Sequence, residues 1–134
     1  MSYWLLKTEP GTYSFQDLER DGVTTWDGVS NNLALKHLRE MSKGDLAFVY
    51  HTGTEKAVVG IAEIVSDPFP DPAKKDPRLV VVRLKAKKPL RTPVPLSAVR
   101  ERREFRAFPL VRLPRLSVMP VAPAEWKLLT GMSR

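Results

Sequence analysis

The chain has 134 residues, no cysteine and a formal net charge of +7. That length suits one modest hydrophobic core rather than two, and the missing thiols exclude disulfides, thiol catalysis and cysteine-rich zinc sites. No apolar run approaches the roughly 20 residues needed to cross a membrane, and MSYWLLKTEP lacks the basic leader and apolar length of a signal peptide. A soluble cytoplasmic monomer folded as a single domain over 1–134 is the expectation.

Tyr3 to Lys7 reads as a first strand, left through Thr8-Glu9-Pro10 because proline cannot extend a central strand. Ser14 with Asp17 three residues on forms a capping box for a short helix, Phe15 to Arg20, ended by Asp21-Gly22. The stretch TTWDGVSNNLALKHLR (24–39) then places Trp26 directly before an Asp27-Gly28 turn, with Asn31 or Asn32 capping a second helix. Ala34, Leu35, Leu38 and Met41 share that helix's apolar face, which puts Lys36, His37, Arg39 and Glu40 toward water. Leu46 to His51 and Ala57 to Val65, joined by Thr52–Glu55, read as a hairpin. Ser66 to Pro77, with four prolines, is a surface loop.

From Arg78 to Lys88 the pattern alternates, with Val80, Val82, Leu84 and Ala86 on one face and Val81, Arg83, Lys85 and Lys87 on the other. Pro93 to Pro95 should break this strand. Leu96 to Phe105 reads as one short helix carrying Arg100, Arg102 and Arg103. Arg115 to Val121 is a last strand, and Pro123 opens a final helical turn through Trp126 and Leu129. Five or six short, mostly antiparallel strands with short helices between them point to an α+β domain built on a small, partly closed barrel. The absence of a Gly-rich phosphate loop argues against a doubly wound parallel sheet.

Residues 1–67 carry 6 Lys/Arg against 10 Asp/Glu, whereas residues 68–134 carry 16 against 5. A basic balance concentrated this way is the footprint of a polyanion partner, most often nucleic acid. Arg83, Lys85, Lys87, Arg100, Arg102, Arg103 and Arg115 are the candidate phosphate contacts. No nucleophile elbow, HExxH, deaminase or Walker pattern is present. Glu9 or His51 could act as a general base only in an enzyme with no recognisable constellation. No metal site or cofactor is expected. Trp26 is the aromatic that reads as a ligand contact, since it lies beside a glycine turn rather than within an apolar period. Tyr3, Trp4 and Trp126 read as packing residues.

Eight blocks of the sequence resemble those of EVE domains, in that family's order: YWLLKTEP (3–10), YSFQDL (13–18), TTWDGV with Asn31 (24–31), LREM–KGD (38–45), FVYHTG (48–53), VVGIAEI (58–64), PDP (70–72) and RLSVMPV (115–121). EVE domains belong to the PUA-like superfamily, which also holds the YTH domains. The resemblance implies a PUA-like pseudo-barrel whose pocket accepts an extruded, often modified, base of DNA or RNA. Carried over by position, it implies Trp26 as the pocket aromatic and Lys7, Thr8 and Glu9 at the strand exit. Tyr50, His51 and Thr52 would form the rim, and Arg115, Leu116, Ser117 and Val118 would close the site. This chain has Ser30, Asn32, Leu33, Leu35 and Lys36 where the family often reads R, Y, Q, R and N. It therefore lacks three polar contacts that the family pattern would supply. The expected function is a non-catalytic reader of a flipped base, stacked on Trp26 and hydrogen-bonded through Asn31, Thr8 and Ser117. An enzyme acting on a modified nucleotide and a general RNA-binding module using charge alone are the alternatives.

Overall fold

The structure, a computed structural model, describes residues 1–133. Seven strands lie in it: β1 (Tyr3–Thr8), β2 (Val23–Trp26), β3 (Leu46–His51), β4 (Ala57–Ile64), β5 (Phe69–Pro70), β6 (Val80–Pro95) and β7 (Val118–Val121). Five helices accompany them: α1 (Phe15–Asp21), α2 (Asn32–Arg39), α3 (Leu96–Glu101), α4 (Pro109–Arg112) and α5 (Pro123–Met132), with a 3₁₀ turn at Arg103–Phe105. The sheet order is β2-β6-β4-β3-β1-β7, and β5 adds to β6. Every ladder is antiparallel except β1 with β3. The strands do not close into a barrel: no ladder joins β2 to β7 among the described residues. Instead α2 packs against both β6 and β7, with Ala34, Leu35 and Leu38 buried.

Local chemistry explains most of these elements. Ser14 caps α1 reciprocally with Asp17, and Asn31, not Asn32, caps α2 by accepting the Ala34 N–H at 3.0 Å. Trp126 of α5 stacks on Tyr3 and Phe48 with ring centroids 4.5 and 3.9 Å away, which docks that helix on the sheet. At one end of the sheet, buried Asp45 accepts the Ser2 and Ser42 amides and the Trp4 indole N–H at 2.9–3.0 Å. Burial alone would push this carboxyl up. The three hydrogen bonds and the N-terminal ammonium outweigh it and hold the group below the usual aspartate range.

Several readings depart from the sequence pattern: the last strand begins at Val118 rather than Arg115, and the 66–77 loop contributes β5. Val23–Trp26 is a strand, paired with β6 in the register Trp26↔Val82, so Trp26 ends a ladder rather than standing free at a turn. β6 runs through Pro93 to Pro95 instead of stopping there. Its register against β4 jumps from Gly60↔Pro89 to Val58↔Val94, so Pro93 falls in the unpaired bulge and Pro95 at the strand's end. The Leu96–Phe105 helix divides at Arg102, whose extended φ of −94° and ψ of 121° separates α3 from the 3₁₀ turn. His37 is not solvated: its side chain is 14% exposed, and its ring lies 6.3 Å from that of Trp4.

Gly60 shows how tightly α1 meets the sheet. A Cβ built there would stand 2.5 Å from the Phe15 ring, itself fully buried. Gly60→Ala should cost about 1–3 kcal/mol in urea denaturation, and pairing it with Phe15→Leu should recover part of the loss. For Asp45, the folded state lowers the pKa, so its stabilisation is full above the unfolded value of about 3.9 and disappears as pH falls through the folded one. The urea midpoint of the parent chain should therefore drop on acidification below pH ~4, while Asp45→Asn starts lower and varies less across that window.

Candidate nucleic-acid interface

β1 and β3 run parallel, so their C-terminal ends emerge side by side, with Lys7 opposite Tyr50 and Thr8 opposite His51. The Thr8 carbonyl accepts the Thr52 N–H at 2.9 Å, and the Thr8 hydroxyl donates to the Tyr13 carbonyl at 2.6 Å. His51 is 2% exposed, and both of its ring nitrogens are engaged. Nε2 accepts the Phe15 N–H at 3.0 Å, which leaves the neutral ring's proton on Nδ1, 2.8 Å from Glu55 Oε1. The histidine thus ties the start of α1 and the 52–55 loop to the end of β3. It faces inward as a brace and does not face a cleft.

Three clefts open around these strand ends. The first, of about 420 Å³, is lined by Thr8, Thr12, Tyr13, Thr24, Thr25, Trp26, Asp27 and Gly28. Tyr13 and Trp26 meet in it at right angles, with centroids 6.3 Å apart and planes at 80°. Trp26 is only 8% exposed, so it forms a wall with a buried body rather than a free platform. Gly28 adopts φ 78°, the left-handed conformation that turns the chain away from the Trp26 strand. Burial, aided by the hydrogen bond and charge of Asp21, raises the Tyr13 phenol and outweighs the opposing hydrogen bond with Thr24, so the phenol stays neutral.

The second cleft, about 210 Å³, gathers Lys7, Tyr50, Thr52, Lys56 and Arg100. Lys7 Nζ donates to the Pro114 carbonyl at 2.8 Å and lies 5.6 Å from the Tyr50 ring centroid. Burial lowers the Lys7 pKa from its ordinary value. The third cleft, about 350 Å³, holds Asn31, Leu33, Arg112, Arg115 and Leu116.

The residues expected to build one base pocket are therefore divided. Thr8 and Trp26 share the first cleft; Lys7, Tyr50 and Thr52 the second; Asn31, Arg115 and Leu116 the third. The Glu9 carboxylate lies between Gly11 and Gly53, where added Cβ atoms would stand 2.7 and 3.1 Å from its oxygens. Ser117 presents its carbonyl to the Lys7 N–H at 2.9 Å, and Val118 is fully buried in β7. Of the expected phosphate contacts, Arg83 pairs with Thr25 beside the first cleft, and Lys85 and Lys87 continue the exposed stripe of β6. Arg100 lines the second cleft, but Arg102 lines a separate groove with Lys127 and Leu128 of α5. Arg103 is exposed at the 3₁₀ turn. Leu35, where the family often carries arginine, is 1% exposed and belongs to the core. Sequence reasoning missed Tyr13, Thr24, Thr25, Asp27, Lys56 and Arg112. Tyr13 had a signal in the YSFQDL block, and Thr24, Thr25 and Asp27 in the TTWDGV block; Lys56 and Arg112 had none. No group of three or more His, Cys, Asp or Glu side chains that could hold a metal ion occurs among the described residues. No helix among them is long and apolar enough to cross a membrane.

The EVE domain family model matches residues 2–132. The chain belongs to the EVE domain family. The EVE fold seen here superposes on Rpa0253 from Rhodopseudomonas palustris with a TM-score of 0.94 at 41% identity, covering 99% of this chain and 93% of that one. It superposes on human THYN1, solved in complex with DNA containing 5-methylcytosine, with a TM-score of 0.89 at 25% identity over 100% of this chain and 98% of that one. Mouse thymocyte nuclear protein 1 is 27% identical over 98% of this chain and 73% of its own length. The matching segment of the human protein, 37% identical, spans 52% of this chain and 36% of that protein. An ASCH protein of Zymomonas mobilis, at 12% identity and a TM-score of 0.64, shares the fold.

Removing the His51 brace tests how the EVE site is held. His51→Ala should leave the Phe15 N–H unpaired and cost about 2 kcal/mol. Amide exchange at Phe15 should accelerate relative to the β1 and β3 amides, and His51→Gln should restore part of the protection.

Proposed function

We propose that this EVE domain binds nucleic acid without chemistry and reads a flipped, modified base in the Tyr13–Trp26 cleft, with 5-methylcytosine in DNA the first candidate. The observation that carries this reading is the cleft's combination of groups. Two aromatic rings meet at a corner, threonine side chains line the walls, and the exposed Asp27 carboxylate stands at the mouth. Each feature of a methylated cytosine has a counterpart there. The ring stacks on aromatic faces, the exocyclic amine is a donor for a carboxylate, and the 5-methyl group packs on threonine methyls. Human THYN1, of the same fold, was solved with DNA containing 5-methylcytosine. The Arg83 side of β6 and the cations beyond Thr8 flank the cleft, where a strand's backbone would run.

Extruding a base costs a few kcal/mol, and one stacked base returns about 1–3 kcal/mol, so stacking and buried hydrogen bonds must act together. The committed ring nitrogens of His51 support a binding role over general-base catalysis.

Oligonucleotides identical except for one cytosine or 5-methylcytosine, single- and double-stranded, should be bound with a preference for the methylated form. Tyr13→Ala should weaken that binding by about 1–3 kcal/mol. Because Trp26 is 8% exposed, Trp26→Ala should also lower the unfolding midpoint, so Trp26→Phe is the cleaner probe of the wall. Equal affinity for both strands, or product masses differing from substrate after incubation, would sink the proposal. A preference confined to RNA would move the reading to a different polymer.

A further inference from the structure

The second cleft contains more positive charge than the fold uses. Lys7 comes from β1, Lys56 from the loop before β4, and Arg100 from the last turn of α3. Among the described residues none of the three joins a salt bridge; the ion pairs there involve Arg20, Arg78 and the two histidines. Bringing like charges together costs free energy, which an anionic ligand offsets.

The arrangement is also held in place. Lys56 adopts φ 47°, uncommon for a side-chain-bearing residue, and its carbonyl accepts the Leu96 N–H at 2.8 Å. That bond joins the loop to the start of α3, the helix carrying Arg100. Lys7 is steadied by its bond to the Pro114 carbonyl. Tyr50 and Thr52 complete the lining, the Thr52 hydroxyl turned to the Thr8 carbonyl at 3.4 Å. The Tyr50 phenol is raised by burial against the opposing charge of Arg100, so it remains a donor.

We infer that this cleft is a phosphate-binding site that takes one phosphate group of the strand whose base enters the Tyr13–Trp26 cleft, an assignment that rests on the base reading for its context. Its lining carries three cations where the aromatic cleft carries a carboxylate, which favours an anion here, and about 210 Å³ accommodates a phosphate group. The lysine and arginine side chains offer charged donors that match tetrahedral phosphate oxygens. Successive residues of a strand point to opposite sides, so Lys7 and Thr8 separate the two clefts at the end of β1. One nucleotide's base and phosphate can then be gripped on either side of a single strand end. The Glu9 carboxylate beside Gly53 stands at the rim of the cationic cleft, where it opposes a misplaced phosphate.

The test uses the full chain and a short oligonucleotide carrying 5-methylcytosine, with each internucleotide phosphate in turn replaced by a neutral methylphosphonate. The parent protein should lose about tenfold or more in affinity at one position, where charge-assisted hydrogen bonds disappear. In Lys56→Gln/Arg100→Gln the same replacement should cost little. The slope of log affinity against log salt should fall by about 0.7–0.9, the share of one phosphate. Strands with and without a 5′-phosphate separate a terminal phosphate from an internal diester, and either source fits the site. Inorganic phosphate alone, titrated by NMR, should move the Thr52 and Gly53 amides of the parent and not of the double variant. A double variant that keeps full sensitivity at every position would overturn the assignment. Phosphate coupling on unmodified strands, with no preference for the methylated base, would fail the base reading and leave the phosphate site standing.

Discussion

The parallel pairing of β1 with β3 is the constraint on which the clefts depend. Antiparallel neighbours would send these C-terminal ends to opposite ends of the sheet; the parallel pair brings Lys7, Thr8, Tyr50 and Thr52 out together. A parallel pair cannot be joined by a tight turn, so α1, β2 and α2 all lie in the connection between the two strands. That connection supplies Tyr13, Trp26 and Asp27. His51 secures the arrangement from beneath, with one nitrogen on the start of α1 and the other on the loop after β3. The opposite end of the same pair is tied by Asp45, which holds Ser2 and Trp4 against the turn leading into β3.

The acidic N-terminal half builds the aromatic cleft, with Asp27 at its mouth, and the basic C-terminal half contributes Arg83 beside it. Arg112 and Arg115 line a neighbouring cleft, and Arg100 lines another together with Lys7 and Lys56 from the N-terminal half. In the proposed reading, cations near a pocket with a carboxylate at its mouth separate two tasks. Cations draw a polyanion to the face and hold its backbone without reading sequence, whereas acceptor and aromatic groups discriminate among bases. The buried body of Trp26 gives the cleft a rigid wall, since a side chain packed into the core cannot turn.

Much of the fold was legible from local chemistry. The alternation of β6 from Val82 to Lys87, the capping box at Ser14, the Asn31 cap and the β3–β4 hairpin each follow from a few neighbouring side chains. So does the EVE family membership, because its blocks preserve turns and caps along the chain. Val81, expected on the outer face, is instead buried where β5 pairs with β6. β2 was not legible. Val23–Trp26 is short and lacks an alternating apolar face, and it becomes a strand only because β6 offers it a ladder. The prolines at the end of β6 read as a break because the bulge that accommodates them exists only against β4.

The candidate site divided along the same line. Sequence alone determined which residue types were available: an aromatic before a glycine turn, a basic second half, no thiols, and a cap at Asn31. Tertiary structure alone decided their grouping. It turned His51 inward, sent Arg100 and Arg102 to different clefts across the break at Arg102, and joined Lys56 to Arg100 through the Leu96 hydrogen bond. The reason is physical. Capping and periodicity act over three or four residues, within reach of a pattern in one chain segment. The direction a side chain finally faces is set by which distant strand supplies its neighbours.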